Sequence, residues 1–379
     1  MSTEDTVAPQ RFAALDALRG IAAFSVLFYH LRTLAALGRP AAAGSLFASG
    51  YLAVDFFFVL SGFVIAHAYG TRLREGMGLR EFLVMRFVRL QPVMAIGTLI
   101  GLSLALSRSL FSPDQGPGLF AIVTGLPANL LMLPNVFVPW GIFLFNPPAW
   151  SLFYELVANA IYAARLTRTR RSSARKTAIG LLCWMVLGLA GLLLSVVIFG
   201  DLDHGVVLQD WFVALSRVSF SFSFGVVLDG TRRYWVPKVP CISTPVLLMI
   251  CVLILIPDFD GRARAAYDLA FVMIFSPLLV MLGAKSIPSP ANRAILDWLG
   301  AVSYPIYALH APIKHVMEAI SNFQYTLTLP LCALFVVISA SIITKIDSIS
   351  RNYANKFIDK NLEFHSHSKS HSLKRMQNI

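Results

Sequence analysis

Residues 11–30 read RFAALDALRGIAAFSVLFYH, an apolar, small-residue run with Arg19 toward its start and His30 at its end. Twenty residues of α-helix rise about 30 Å, the thickness of a bilayer's hydrocarbon core. Taken as a membrane-spanning helix, the stretch sets Arg19 near one surface and His30 deep inside. Eleven residues at 100° each end about 20° past whole turns, so the two side chains share one face about 16 Å apart along the axis. An ionisable group at that depth costs about 2.5–3.5 kcal/mol to insert, so one that faces the protein interior is a functional candidate.

The rest of the chain repeats the pattern. Of its 379 residues, 56% are hydrophobic and only 14% charged, and the mean hydropathy is +0.67. Apolar segments lie near 12–31, 50–70, 92–110, 119–136, 148–165, 178–199, 209–228, 243–257, 266–284, 298–320 and 325–346. They are continuous rather than alternating, which excludes a transmembrane β-barrel and predicts an all-α, polytopic integral membrane helix bundle. The formal net charge of +12 is concentrated in particular loops, a sign of topology and not of nucleic-acid binding. The polar start, with Glu4 and Asp5, lacks the basic segment of a signal peptide, so the first helix is expected to be retained. Cys183, Cys241, Cys251 and Cys332 lie in or beside apolar runs without metal-ligand spacing, and are expected to be buried thiols, neither disulfides nor a metal site.

Loop charge sets the topology. Arg72, Arg74, Arg80, Arg86 and Arg89 follow the second segment, and Arg165, Arg168, Arg170, Arg171, Arg175 and Lys176 follow the fifth. Both loops should be cytoplasmic, yet three crossings would separate them if every segment spanned. Segment 119–136, interrupted by Pro127 and Pro134, is the one expected to be broken or re-entrant. With it removed, Asp201, Asp203, Asp210, Asp258 and Asp260 fall outside, and Arg232, Arg233, Lys238, Lys285 and Arg293 inside. Arg262 and Arg264, in an outer loop, are the exception. The expectation is about ten spans with both termini cytoplasmic: a short N-terminal segment 1–11, a membrane domain 12–346 and a basic tail 347–379. His365, His367 and His371 belong to that polar tail and read as solvated rather than as a metal site.

Several further residues carry chemistry. Arg86 and Arg89, in EFLVMRFVRLQP, stand three apart on a short amphipathic helix that Pro92 is expected to end or bend. With Arg19 they suit phosphate groups, which guanidinium binds bidentately; positive-inside anchoring is the plainer alternative. GYLAVDFFFVLSGFVIA buries Asp55 among aromatics ahead of Ser61 and Gly62, as a structural ion pair or a chamber acid. Arg217, in the run SRVSFSFSFGVVLDG, begins a span from the outside and reads either as neutralising an acid or as only marking the interface. In NPPAWSLFYELVANAIY, Pro147 and Pro148 suit a helix start, and Ser151 and Glu155 share a face. Glu155 is placed at the depth of His30, where a carboxylate would fix the imidazole's tautomer and raise its basicity. WLGAVSYPIYALHAP sets Tyr307 and His310 three apart on another span. The chain has no GxSxG elbow, phosphate-binding loop, dinucleotide glycine fingerprint or HExxH zinc motif.

LDALRGIAAFSVLFYH, GYLAVDFFFVLSGFVIA, MRFVRLQP, PPAWSLFYE and LGAVSYPIYALH, in that order, resemble the successive motifs of the bacterial membrane acyltransferase 3 family. The resemblance implies a bundle of about ten helices in the bacterial cytoplasmic membrane. Its reaction moves an acyl group, expected to be acetyl, from cytoplasmic acyl-CoA to hydroxyls of exopolysaccharide, lipopolysaccharide O-antigen or related glycans. It implies an arginine and histidine pair at Arg19 and His30, paired arginines at Arg86 and Arg89, and a Trp-Ser-Leu…Glu stretch at Trp150, Ser151, Leu152 and Glu155. One departure stands out: many members close their last span with Glu-x-Pro, where TKIDSISRNY has Asp347 and no proline.

The resulting expectation has catalysis by His30 and Glu155, acyl-CoA on Arg19, Arg86 and Arg89, and support from Asp55, Ser61, Trp150, Ser151, Tyr307 and His310. His30 deprotonates the acceptor hydroxyl or carries the acyl group, with Ser151 or Tyr307 as oxyanion donors. Acyl-CoA is a co-substrate, no cofactor is held permanently, and the remaining partners are membrane lipids and a carbohydrate or lipid-linked glycan. A small hydroxylated metabolite or antibiotic as acceptor, or a transporter of glycan or lipid precursors, is the alternative. Buried acid–base groups would suit proton coupling in a transporter equally well.

Overall fold

A computed structural model describes residues 12–36, 47–112, 114, 116–169, 174–320, 329–349 and 352–353. The described regular structure is helical: α1 (Ala13–Ala36), α2 (Ala53–Glu75), α3 (Leu79–Phe111), α4 (Leu119–Leu130), α5 (Ala149–Arg168), α6 (Ala174–Phe199), α7 (Trp211–Gly230), α8 (Arg232–Trp235), α9 (Thr244–Leu253), α10 (Gly261–Ala270), α11 (Ser276–Lys285), α12 (Arg293–Ile320) and α13 (Leu329–Ile349). A π-helical stretch, Phe271–Phe275, joins α10 to α11 without a break. Seven of these units are long and apolar enough to cross a membrane: α1, α2 with its first turn, α3, α6, α7, α10–α11 and α13. The 20 residues of α5 and the 28 of α12 have the length but carry more polar groups. The N-terminal segment 1–11 and the tail beyond 353 lie outside the described residues.

Contacts sort the helix ends into two groups. At one end, Phe12 packs on His67, His67 bonds Asp229 at 3.1 Å, and Lys285 Nζ donates to the carbonyls of Val236 (2.9 Å) and Val239 (2.5 Å). At the other, Tyr29 donates to Asp203, Tyr51 donates to Asp268 at 2.5 Å, and Arg264 pairs with Asp201 at 3.3 Å. We call these the basic end and the acidic end. Arg264, the exception to the loop-charge pattern, is thereby accounted for: it is held by aspartates of the α6–α7 loop.

Segment 119–136 does not cross. Its helix, α4, has 12 residues, rises about 18 Å and packs on α3. The irregular chain that follows has its polar groups met by asparagines: Asn129 Nδ2 donates to Ile142 O at 3.1 Å and Asn129 Oδ1 accepts from Phe145 N at 3.2 Å. Protein partners of this kind are what allow non-helical backbone at membrane depth.

Segment 243–257 was expected to be a spanning helix, and here the structure differs. α9 has ten residues and rises about 15 Å. The segment still joins both ends, because Thr244 bonds Ser286 at 2.8 Å beside Lys285, while Ser49 at the start of the α2 unit donates to Pro257 O at 2.7 Å. A turn at 254–255 and the irregular residues on either side of the helix make up the remaining length.

Pro92 was expected to end or bend a short helix, but it lies inside the 33-residue α3, which packs on α4, α5 and α12. A proline is tolerated in a membrane helix where neighbours meet the freed backbone groups. The last helix runs to Ile349, three residues past the expected boundary. Of the four thiols expected to be buried, Cys251 and Cys332 are; Cys183, on the outward face of α6, and Cys241, in the α8–α9 loop, are exposed.

Close helix approach is made by glycine. A Cβ on Gly20 would meet Leu299 O at 2.6 Å, which locks α1 against α12, and one on Gly62 would meet Phe222 O at 2.0 Å, which locks α2 against α7.

Candidate active site

Between α1, α2, α3, α5 and α12 lies a cavity of about 130 Å³ whose walls include Arg19, Arg86, Arg89, Ser61, Glu155 and Tyr307. Ser151, Ser303, Tyr304 and Asp347 also reach it. Its polar groups sit toward the basic end, and Phe57, Val64 and Leu90 supply the apolar wall. The volume suits a slender chain of atoms rather than a nucleotide.

Each arginine is positioned differently. Arg19 Nε donates to Ser303 Oγ at 2.9 Å, and its Nη2 contacts Gly300 O at 3.2 Å and Asp16 at 3.1 Å, so α12 and α1 hold it jointly. Arg86 is buried, and its Nη2 donates to Glu155 Oε1 at 2.6 Å. The same carboxylate oxygen accepts from Ser61 Oγ at 2.6 Å. Arg86 Nε has no hydrogen-bond partner among the described residues. A buried donor without a partner costs about 1–3 kcal/mol, a penalty that a bound anion would remove.

Glu155 was expected beside His30, and the structure corrects this. α5 begins inside the bundle: Asn146 is fully buried, and its amide donates to Ala308 O at 3.1 Å. The first turn of α5 is therefore already at the level of Tyr307 and His310, with Ser151 bonded to Tyr307 at 2.6 Å. Glu155, one turn further on, falls about 6 Å nearer the basic end, among the arginines.

His30 instead stacks on His310, ring centroids 5.0 Å apart. His30 is exposed and His310 buried. His310 Nδ1 lies 2.8 Å from Tyr307 O. A carbonyl only accepts, so Nδ1 carries the proton and Nε2 of the neutral ring presents a bare lone pair. That Nε2 is buried without a partner among the described residues.

Asp55 and Trp150 lie away from the cavity. Asp55 takes Arg217 Nη2 at 2.6 Å and Nε at 3.1 Å, and Arg217 also donates to Leu202 O at 2.9 Å and Tyr51 O at 3.0 Å. The Arg217 guanidinium lies 5.5 Å from the centre of the Trp150 ring. This is a saturated structural knot, the first of the two readings of Asp55.

Sequence reasoning gave no role to Asp16, Ser303, Tyr304 or Asp347. The signals were present: Asp16 stands three residues before Arg19 in LDALRG, and Asp347 is the departure at the end of the last span. Tyr304 donates to Leu90 O, tying α12 to α3.

Residues 12–345 match the acyltransferase domain of the acyltransferase 3 family. Protein 2 in picA locus, from Rhizobium radiobacter, is 42% identical over 170 residues, which are 41% of this chain and 82% of that protein. No solved structure matches. With spanning helices, an arginine-lined cavity inside the bundle and the family match over nearly its whole length, this chain belongs to the acyltransferase 3 family and is a polytopic membrane acyltransferase.

Proposed function

We propose that the protein moves an acyl group, acetyl in the simplest case, from acyl-CoA at the basic end to a hydroxyl of an exported or surface carbohydrate at the acidic end. The basic end is then cytoplasmic in a bacterial inner membrane, with both chain termini on that side. The observation that carries this reading is the polar line from Arg86 and Glu155, through Ser61, Ser151 and Tyr307, to the stacked pair His310 and His30.

Arg19, Arg86 and Arg89 bind phosphates of the CoA, and the narrow cavity admits the arm that carries the thioester. His30, the accessible ring, takes the proton from the acceptor hydroxyl as the oxygen attacks the thioester carbonyl. The C–S bond breaks as the ester forms, and the proton passes from His30 to the departing thiolate. Ser151 has one proton for Pro148 O at 3.2 Å or Tyr307 at 2.6 Å; when it turns to Tyr307, the phenol's own proton is left for the developing oxyanion. Glu155 holds Arg86 rather than His30, so it acts by positioning the phosphate site.

The test is mass spectrometry of surface glycans from wild-type, deletion and His30→Ala strains, with membrane insertion of the variant checked in parallel. An ester-linked acyl group lost in both the deletion and the point mutant supports the reading. Near-normal esters in His30→Ala overturn the mechanism. Movement of an unmodified glycan across the membrane would favour transport instead.

A further inference from the structure

A second and larger cavity, of about 780 Å³, opens at the basic end between α2, α5, α6 and α7. It shares no lining residue with the arginine cavity: Ser61 and Glu155 line that one, and Gly70 and Tyr162, about two turns or more nearer the basic end, line this one. It exists because α6 packs along α7 and leaves α5. Ile161 and Leu182 line it and are exposed, so it is open sideways to the bilayer.

The cavity is apolar within and cationic at its mouth. Tyr162, Trp184 and Phe222 form the interior, and Arg74 and Arg165 stand at the basic end. Arg165 is held in place: its Nη2 donates to Lys176 O at 2.6 Å, and its guanidinium lies so close to Gly180 that a Cβ there would meet Nη2 at 1.6 Å. The acid on the lining, Asp229, is engaged by His67. Ser223 stands in the wall with its side chain fully buried, and its Oγ has no hydrogen-bond partner among the described residues.

We propose that this cavity binds one anionic glycerophospholipid of the leaflet at the basic end. Its phosphate sits against Arg74 and Arg165, and one acyl chain lies along Tyr162, Trp184 and Phe222. Charge and shape agree on this occupant: guanidinium pairs with phosphate, and a lateral opening into lipid admits a chain already in the membrane. The site stands independently of the acyl-transfer mechanism.

The full-length protein, delipidated in mild detergent, is offered phosphatidylglycerol, phosphatidylcholine, acyl-CoA or inorganic phosphate in turn, and bound molecules are counted by native mass spectrometry. One retained phosphatidylglycerol is expected, favoured over phosphatidylcholine. Arg74→Gln and Arg165→Gln should each weaken retention about fivefold, the effect of one basic residue near an anionic surface. Ile161→Trp, which leaves the charges in place, should weaken both lipids alike by narrowing the lateral opening. Equal retention of the two lipids by the wild type, unchanged retention in the arginine variants, or displacement by acyl-CoA or inorganic phosphate would each overturn the proposal. Arg74 is exposed, so its variant tests the site without threatening the fold.

Discussion

Arg217–Asp55 and Arg86–Glu155 are both buried arginine–carboxylate pairs closed at 2.6 Å, and they do different work. Arg217 spends four of its five N–H donors on Asp55 and on the carbonyls of Leu202 and Tyr51, and it lines neither cavity. Arg86 makes one bond to Glu155, keeps a buried Nε without a described partner, and faces a cavity. A saturated pair fixes helices; an unsaturated pair beside a void is prepared for something else. The difference is in the count of satisfied donors and not in burial or distance.

The comparison can be broken by substitution. Arg217→Met leaves Asp55 as an uncompensated buried charge, and should cost about 3–5 kcal/mol. The expected outcome is loss of monodisperse protein on detergent extraction, checked by size-exclusion chromatography; normal extraction and thermal stability would erase the distinction. Arg86→Gln should extract normally and instead raise the KM for acyl-CoA about 10–100-fold, the worth of one charged hydrogen bond of about 1.5–3 kcal/mol. An unchanged KM would return Arg86 to the rank of a topology signal. Ser61→Ala removes a single bond to the Glu155 oxygen that Arg86 shares, and should shift the same KM by no more than about tenfold, near 1 kcal/mol. A larger effect in Ser61→Ala than in Arg86→Gln would mean that the carboxylate, and not the guanidinium, meets the substrate.

What the sequence made legible follows the same division. Arg19 is far from the Arg86 and Arg89 pair along the chain, yet each carries its charge within an apolar run, and that contrast is visible in the letters. The non-crossing segment 119–136 was legible because charge parity forbids it to span, and the short α4 agrees. Glu155 was misplaced because depth was counted from Pro147 and Pro148 as though a helix start marked a membrane surface. In the fold that start lies inside the protein, where the buried Asn146 amide meets Ala308 O. The partnership of His30 with His310 is a contact across 280 residues, set by how α1 and α12 meet at Gly20, and no local pattern encodes it. The pairing of Asp55 with Arg217 required two correct depths at once; the sequence offered a structural ion pair as one of two readings of Asp55 without naming its partner.

The ten-residue α9 has a mechanical consequence. A bundle of long helices answers a change in bilayer thickness by changing tilt, while a segment whose helix is short and whose flanks are irregular answers a thicker bilayer by thinning the lipid around it. α9 packs directly on α1, the helix that carries Arg19 and His30. Strain from a mismatched bilayer would then be delivered next to the helix proposed to do the work, and transfer rates in vesicles of different lipid chain length are expected to differ even at a fixed headgroup charge.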